Sequence, residues 1–338
     1  MKHTLYISRV ILIAILGFVL VSSCSKEEAD MPYITFGVSE LGVDTKALLT
    51  NEILNSTSTS VTVYGVKNNT QTIFNGVTIT KESDSYNWKP TSNRTWESGS
   101  SYSFYGYTSS GGQSQLSSLE IQKEGMKIIV NQPSTYSESD MVDYMLSHAY
   151  KVADGKNNHI VMLYMQHAMA CAEIVVNKQI PEHKVLLNSI ELKGIYRSAT
   201  MECEGQANAN SGADNVWKTQ ISGSNTGVSY EKTFSNSSSD QSNPLGTMTI
   251  LAVPQQLTQE TTLKITYSVD EDDDSTNAPT THTDQFKLFN YTPYVWQSGH
   301  KVRYTLTINT GVELDAEILP WINAGYIEGV ILPGTQQN

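Results

Sequence analysis

Residues 102–107 read Tyr-Ser-Phe-Tyr-Gly-Tyr, and this stretch decides the fold class. Polar or small residues alternate with aromatic ones, which is typical of a half-buried strand. Residues 61–66 alternate in the same way, and further strands are predicted at 33–38, 126–130, 185–193, 248–253, 262–269, 285–289 and 301–309. A long apolar run at 160–176 predicts one bulged strand or two, with one face made of Val161, Leu163, Met165 and His167.

Helical signals are weak in this chain. The best helical turn is predicted at 140–145, with Asp140 as its cap, and no helix of three turns is predicted after residue 24. Short strands separated by polar loops predict an all-β chain of two tandem β-sandwich domains and argue against an α/β enzyme fold. Pro181 interrupts the strand pattern, so the predicted domains are residues 33–178 and 179–338.

The first 23 residues have the pattern of an export signal. Lys2 and Arg9 precede an apolar run that ends at Val21, and this run is too short to span a membrane. Val21-Ser22-Ser23-Cys24 resembles a lipobox, which predicts lipid on Cys24 and a polar linker over 24–32. The alternative is an ordinary signal peptide followed by a chance cysteine.

Composition excludes several classes of function. The net charge is −12 and no cluster of Lys and Arg exists, which argues against nucleic acid as a partner. No nucleophile elbow, phosphate-binding loop, dinucleotide fingerprint or metal-ligand spacing is found, so the sequence predicts no enzyme, no cofactor and no metal site. The acidic run 270–274 is interpreted as a solvated hairpin tip, and His167 as a hydrogen-bonded core histidine.

Two further features concern cysteine and tryptophan. Cys171 and Cys203 either form a disulfide in an oxidising compartment or remain thiols, with Cys171 buried in a strand. The segments 96–99 and 296–299 are alike, each with a Trp followed three residues later by a Gly. We expect the glycines to supply turns with positive φ and the tryptophans to pack at the core or edge rather than to stack on sugars.

Several short stretches, in this order and spacing, together resemble the fimbrillin family of type V pilins. They cover nearly the whole chain after the linker and lie at 34–36, 45–47, 63–65, 87–88, 96–104, 163–170, 189–195, 251–257, 296–304 and 319–321. The resemblance implies two domains of transthyretin-like topology. It also implies export as a lipoprotein to the outer membrane, trimming by a protease after a basic residue, and polymerisation into surface fimbriae by β-strand addition.

The resemblance places the trimming site at Lys46-Ala47. The family pattern usually has arginine there, and lysine lacks its planar guanidinium, so an arginine-selective protease would not treat the two alike. Two interpretations stay open. Cleavage releases Cys24 to Lys46 and opens a groove, or Lys46 is a solvated loop residue in a subunit that is not cut.

The C-terminal segment 326–332 reads Tyr-Ile-Glu-Gly-Val-Ile-Leu and is strand-like. Ile327, Gly329 and Ile331 share one face, and apolar residues on both faces suit a strand inserted between others. The segment is predicted either as a donor strand for the next subunit or as the last strand of its own domain.

The predicted function is therefore that of a structural subunit of cell-surface fimbriae. Its expected partners are copies of itself or other fimbrial subunits, a processing protease, the outer membrane through lipid on Cys24, and a host or bacterial adhesion target. The alternatives are a fimbrial anchor or tip subunit, and a monomeric surface lipoprotein that binds glycan or a host protein.

Overall fold

The computed structural model describes residues 32–40, 59–82, 87–110, 116–122, 125–147, 150–152, 160–180, 182–204, 217–221, 227–235, 243–270, 278–309 and 311–320. The strands of the first half are β1 Thr35–Glu40, β2 Ser60–Lys67, β3 Gln71–Lys81, β4 Trp88–Pro90, β5 Tyr102–Ser109, β6 Leu116–Gln122, β7 Gly125–Asn131, β8 Tyr144–Ser147, β9 Tyr150–Val152 and β10 Ile160–His167. Those of the second half are β11 Ala170–Lys178, β12 Lys184–Ile195, β13 Ser198–Glu204, β14 Trp217–Gln220, β15 Val228–Thr233, β16 Gly246–Ala252, β17 Gln255–Gln256, β18 Thr262–Asp270, β19 Thr280–Lys287, β20 Val295–Trp296, β21 His300–Ile308 and β22 Val312–Pro320. The predicted all-β class is confirmed.

Helical structure in the described residues is limited to 3-10 turns at Glu138–Asp140 and Leu288–Asn290. The turn predicted to begin at Asp140 is wrong in position, because Asp140 ends the first of these and Tyr144 begins β8. The side chains of β8 are all buried, so no period of two was visible there. No helix among the described residues has the length and apolar character to span a membrane.

The first half forms an eight-stranded sheet in the order β2-β3-β4-β1-β10-β8-β5-β9. An additional pairing joins β2 to β5, so hydrogen bonding runs in a closed ring around one core. Closure removes exposed strand edges, which otherwise invite pairing with other chains. We call this unit the ring, and β1 is the strand that connects β4 to β10 within it.

Aromatic side chains fill the inside of the ring. Phe36 contacts Phe74 and Phe104 edge-on, with ring centroids 5.6 and 5.7 Å apart. Trp96 packs against Phe104 and edge-on against Tyr102, and all five side chains are buried. Each such pair adds about 0.5–1.5 kcal/mol beyond burial of its area.

The second half builds a sandwich from two four-stranded sheets, β16-β11-β21-β22 and β15-β12-β18-β19. Alternate apolar residues of the two sheets belong to one buried cluster, with Ile174 and Tyr304 from the first and Leu192 and Ile265 from the second. The long run at 160–176 is therefore two strands, of which β10 belongs to the ring and β11 to the sandwich. The chain changes sheets at Ala168 and Met169.

A third sheet, β14-β13-β7-β6, combines strands from both halves. β7 pairs with β13 over seven residue pairs, and β11 pairs with β16 and β21. The boundary predicted after residue 178 stays a prediction, and β11, which precedes it, pairs with strands of the second half. The transthyretin-like topology also stays a prediction.

The two Trp-to-Gly segments form matching turns. Gly99 and Gly299 have φ of +80° and +68°, and Trp96 and Trp296 are both buried. Each turn is closed by a backbone hydrogen bond, from Ser100 N to the Glu97 carbonyl and from His300 N to the Gln297 carbonyl. The expected positive φ values and core tryptophans are confirmed, so neither indole is available to stack on a sugar.

A cluster of charges on β12 makes the fold sensitive to acid. Glu191 accepts hydrogen bonds from Lys264, Lys193 and Ser229 at 2.5, 2.9 and 2.9 Å. Burial alone raises the pKa of this carboxyl group, but these three donors outweigh burial and lower its pKa to about 2. The folded state thus holds the Glu191 proton more weakly than the unfolded state does, and the resulting stabilisation is present above pH ~4.5 and lost as pH falls toward 2.

We expect Glu191→Gln to remove much of this acid sensitivity. Between pH 7 and pH 3 the wild type should lose about 2 kcal/mol of unfolding free energy through this group, and the variant should not. Urea denaturation at both pH values measures the difference. Glu182→Gln, which removes an exposed carboxylate just before β12 and outside this cluster, is the control and should keep the wild-type slope. An equal pH slope in wild type and Glu191→Gln would contradict the prediction.

Candidate strand-exchange site

β1 is the structural element at the candidate site. It pairs in parallel with β10 over six residue pairs, from Thr35 with Ile160 to Glu40 with Met165. On its other side it pairs with β4 at one position, Phe36 with Trp88. Most of its strand pairing is therefore made with β10.

Alternate side chains of β1 complete the core of the ring. Ile34 and Phe36 are fully buried and Val38 is nearly so. Just before the strand, the backbone N–H of Ile34 donates to the Arg94 carbonyl at 2.7 Å. Burial of a side chain of this size contributes about 1.5–3 kcal/mol, so these three positions are the main apolar anchors of β1.

Gly37 lets β1 lie close under a side chain of β10. A Cβ atom at Gly37 would come within 2.5 Å of the Met162 sulfur and 3.4 Å of an Ile160 methyl carbon. At this position the backbone of β1 packs directly against side chains of β10, because Gly37 has no side chain. The contacts described for β1 are main-chain hydrogen bonds and apolar packing, which a second strand of similar pattern could reproduce.

The end of β10 carries a buried polar pair. His167 Nδ1 and Asp143 Oδ1 are 3.0 Å apart, and both side chains are fully buried. The prediction of a hydrogen-bonded core histidine is confirmed. Asp143 was not predicted as its partner, because it lies 24 residues earlier and no local pattern links the two.

Cys171, the second residue of β11, is a free, buried thiol, so it forms no disulfide with Cys203. Burial raises the pKa of this thiol to about 12. A thiol so rarely ionised is a poor nucleophile, which fits a packing role. Among the described residues, no cluster of three or more His, Cys, Asp or Glu side chains is arranged to hold a metal ion.

Several predicted site residues lie outside the described residues. They are Cys24, Lys46, Ala47, Ile327, Gly329 and Ile331. Their places along the chain are nevertheless informative. Lys46-Ala47 lies between β1 and β2, and segment 326–332 follows the end of β22 at Pro320. All of β1 therefore precedes the predicted cleavage site.

Comparison with known proteins gives one family and several similar folds. A family model described as Fimbrillin-like matches residues 45–321. A solved cell adhesion protein from Bacteroides uniformis has 12% identity and a TM-score of 0.55, with 86% of this chain and 99% of that chain covered. At this identity the likeness concerns the fold. The comparison with curated proteins finds no match.

Two more solved structures cover similar lengths at lower TM-scores. A cell adhesion protein from Bacteroides ovatus has 13% identity and a TM-score of 0.49, covering 87% of this chain and 98% of its own. A fimbrial assembly protein from Parabacteroides distasonis has 10% identity and a TM-score of 0.36, covering 86% of this chain and 100% of its own.

Proposed function

The chain belongs to the fimbrillin-like family, and from this premise we propose that it is a structural subunit of cell-surface fimbriae that polymerises by strand exchange. The observation that carries the proposal is the position of β1. It is one strand of a closed ring, and all of it lies before Lys46. Loss of β1 opens the ring between β4 and β10, and both of these strands remain in the trimmed chain.

The groove left by β1 has both chemical features of a strand acceptor. The edge of β10 from Ile160 to Met165 loses the backbone partners that β1 supplied. The positions of Ile34, Phe36 and Val38 become apolar pockets lined by side chains such as Phe74 and Phe104. An added strand with apolar residues at alternate positions restores both the hydrogen bonds and the core.

In this proposal, trimming after export removes β1 and so creates the empty groove. Cys24 carries the lipid and holds the precursor at the outer membrane, with β1 protecting the core of the ring. Cleavage between Lys46 and Ala47 then releases residues 24–46, and the lipid with them. β1 serves as a temporary strand, and the anchored precursor becomes a subunit that can accept a partner.

The donor in this proposal is segment 326–332 of the next subunit. Ile327 and Ile331 present branched apolar side chains at the spacing of Ile34 and Val38. Gly329 takes the central position and is much smaller than Phe36. The donor therefore fills the pocket between Phe74 and Phe104 less completely than β1 does.

Lysine at position 46 supports a second candidate role. A subunit that the protease leaves uncut keeps β1, and its ring stays closed. It can still donate segment 326–332 but cannot accept a strand. Such a subunit ends a fibre and stays attached through Cys24, which is the role of an anchor.

Changes at the donor face test the proposed assembly. Ile327→Ala together with Ile331→Ala removes two side chains from each junction, and one buried Ile→Ala change costs about 2–5 kcal/mol. We expect high-mass ladders in SDS gels to dissociate at clearly lower temperature than those of the wild type. Glu328→Gln, on the opposite face of the same segment, is the control. Ladders of equal heat resistance in all three proteins would contradict the proposed donor face.

A further inference from the structure

An exposed aromatic surface lies on the second half, on a loop that strand exchange does not use. Phe289, Tyr294 and Val295 are 38%, 47% and 39% exposed. The rings of Phe289 and Tyr294 lie 6.2 Å apart between centroids and are inclined by 57°. Among the described residues, Tyr33 and Ile318 are the other large apolar side chains with comparable exposure, and each lies on a different segment.

Buried flanking side chains and backbone hydrogen bonds fix the loop that carries these exposed side chains. Leu288 and Trp296 are buried on either side of the exposed residues. The backbone N–H of Leu288 donates to the Thr261 carbonyl at 3.0 Å, and that of Leu257 donates to the Tyr294 carbonyl at 2.8 Å. β20 also pairs with β17, which fixes the backbone that carries the exposed aromatic rings. Ligand binding would therefore cost little conformational entropy in this loop.

The chemistry of this surface is uncharged. Residues 251–259 and 288–299 contain no Asp, Glu, Lys or Arg, although these types make up 17% of the chain. The same two segments also carry exposed amide side chains, at Gln256, Asn290 and Gln297, and Gln256 pairs with Val295 between β17 and β20. Amides both donate and accept hydrogen bonds, as a ligand rich in hydroxyl groups requires.

We propose that this surface binds a neutral saccharide. The electron-rich faces of Phe289 and Tyr294 suit the C–H faces of a pyranose ring, and the flanking amides suit its hydroxyl groups. Charge favours this class, because the chain carries a net charge of −12 and neither of these two segments contains a Lys or Arg to hold an acidic sugar.

The size of the surface also favours a small ligand over a protein. A stable protein interface buries about 800 Å² and roughly 20–30 residues on each partner. The exposed aromatic, apolar and amide side chains named here are six, enough to contact one or two sugar rings. The saccharide site is independent of the groove of β1, so it would operate in a fibre and in an uncut precursor alike.

Binding by the uncut, purified full chain tests the proposal without any dependence on assembly. The probes are lactose, N-acetyllactosamine, maltotriose and mannotriose, with 3′-sialyllactose as the charged counterpart, observed by saturation-transfer NMR and titration. We expect at least one neutral probe to bind, and Phe289→Ala and Tyr294→Ala each to weaken it about tenfold. Gln297→Ala, which removes an amide and no ring, should weaken it about fivefold.

Tyr33→Ala is the matched control, because Tyr33 is an exposed aromatic residue on a different segment. It should bind as the wild type does, and thermal unfolding checks that every variant is folded. The proposal fails if no neutral probe binds, if only the sialylated probe binds, or if Phe289→Ala and Tyr294→Ala bind like the wild type. It also fails if these two variants lose fibre ladders while no saccharide binds, because the surface is then a contact between subunits.

Discussion

Phe36→Ala should destabilise the uncut precursor by about 3–5 kcal/mol and leave mature fibres unchanged. Phe36 is fully buried and contacts Phe74 and Phe104 in the ring, so its removal leaves a cavity in the precursor. In the proposed maturation the residue leaves with the released segment. Fibres of the variant and of the wild type then have the same sequence. Urea unfolding of the purified precursor and heat dissociation of fibres measure the two effects.

Phe104→Ala provides the comparison. Phe104 belongs to β5, which trimming does not remove, and it lies in the same aromatic cluster. This variant should lose stability in the precursor and in the fibre, by about 3–5 kcal/mol in each. If Phe36→Ala fibres lose heat resistance as Phe104→Ala fibres do, β1 remains in the fibre and the proposed exchange is wrong.

Lys46→Gln should abolish high-mass fibre ladders and leave a lipid-anchored precursor at the cell surface. The uncut chain keeps β1 in the ring, so no groove is open to a donor strand. Lys46→Arg, unlike Lys46→Gln, should assemble into fibres, because arginine keeps the positive charge at the cleavage site and adds the guanidinium of the usual family pattern. Gel ladders and N-terminal sequencing of surface material measure the outcome.

Lys26→Gln is the control for charge within the same released segment and should assemble like the wild type. Wild-type fibres whose N terminus is Cys24 would overturn the role of Lys46. The anchor role makes a different prediction, since an uncut wild-type subunit at fibre ends would be unaffected by Lys46→Gln.

Local pattern was enough to predict most strands with a buried face. Alternation identified β2, β7, β18 and β21, because each packs mainly one face on a core. It also identified β5, although this strand is not half-buried as expected: seven of its eight residues are buried, on both faces. It placed the strand near 285–289 too late. The observed β19 runs from Thr280 to Lys287 as a largely polar edge strand, and Leu288 begins a 3-10 turn. A polar edge strand lacks the apolar period on which the prediction depended.

Partner choice could not be predicted from local pattern. The sequence around Ile34 and Phe36 predicts a strand but does not indicate that its neighbour is β10, far along the chain. The pairing of β7 with β13 across the two halves was missed for the same reason. Which strands pair depends on loop closure and on the fit of buried side chains from distant segments.

The aromatic surface on the second half was also missed. Residues 285–289 were predicted as a strand, which would have alternated the side chains between two faces. That alternation separates Leu288 from Phe289 but does not bring Phe289 to Tyr294, whereas the chain that turns at Leu288–Asn290 places the two exposed rings together. The uncharged composition of 288–299 was the signal in the sequence that could have found it.

The pairing of Thr35 with Ile160 has a consequence for the timing of folding. A chain made from its N terminus produces β1 early, yet the strand finds most of its hydrogen bonds only after β10 exists. Contacts so distant in sequence form slowly, since a long loop must close before they stabilise anything. β1 is thus synthesised first but takes its place in the sheet late in folding. We therefore expect each new subunit to pass through an interval in which the core of its ring is open to neighbouring subunits, before its own β1 closes it.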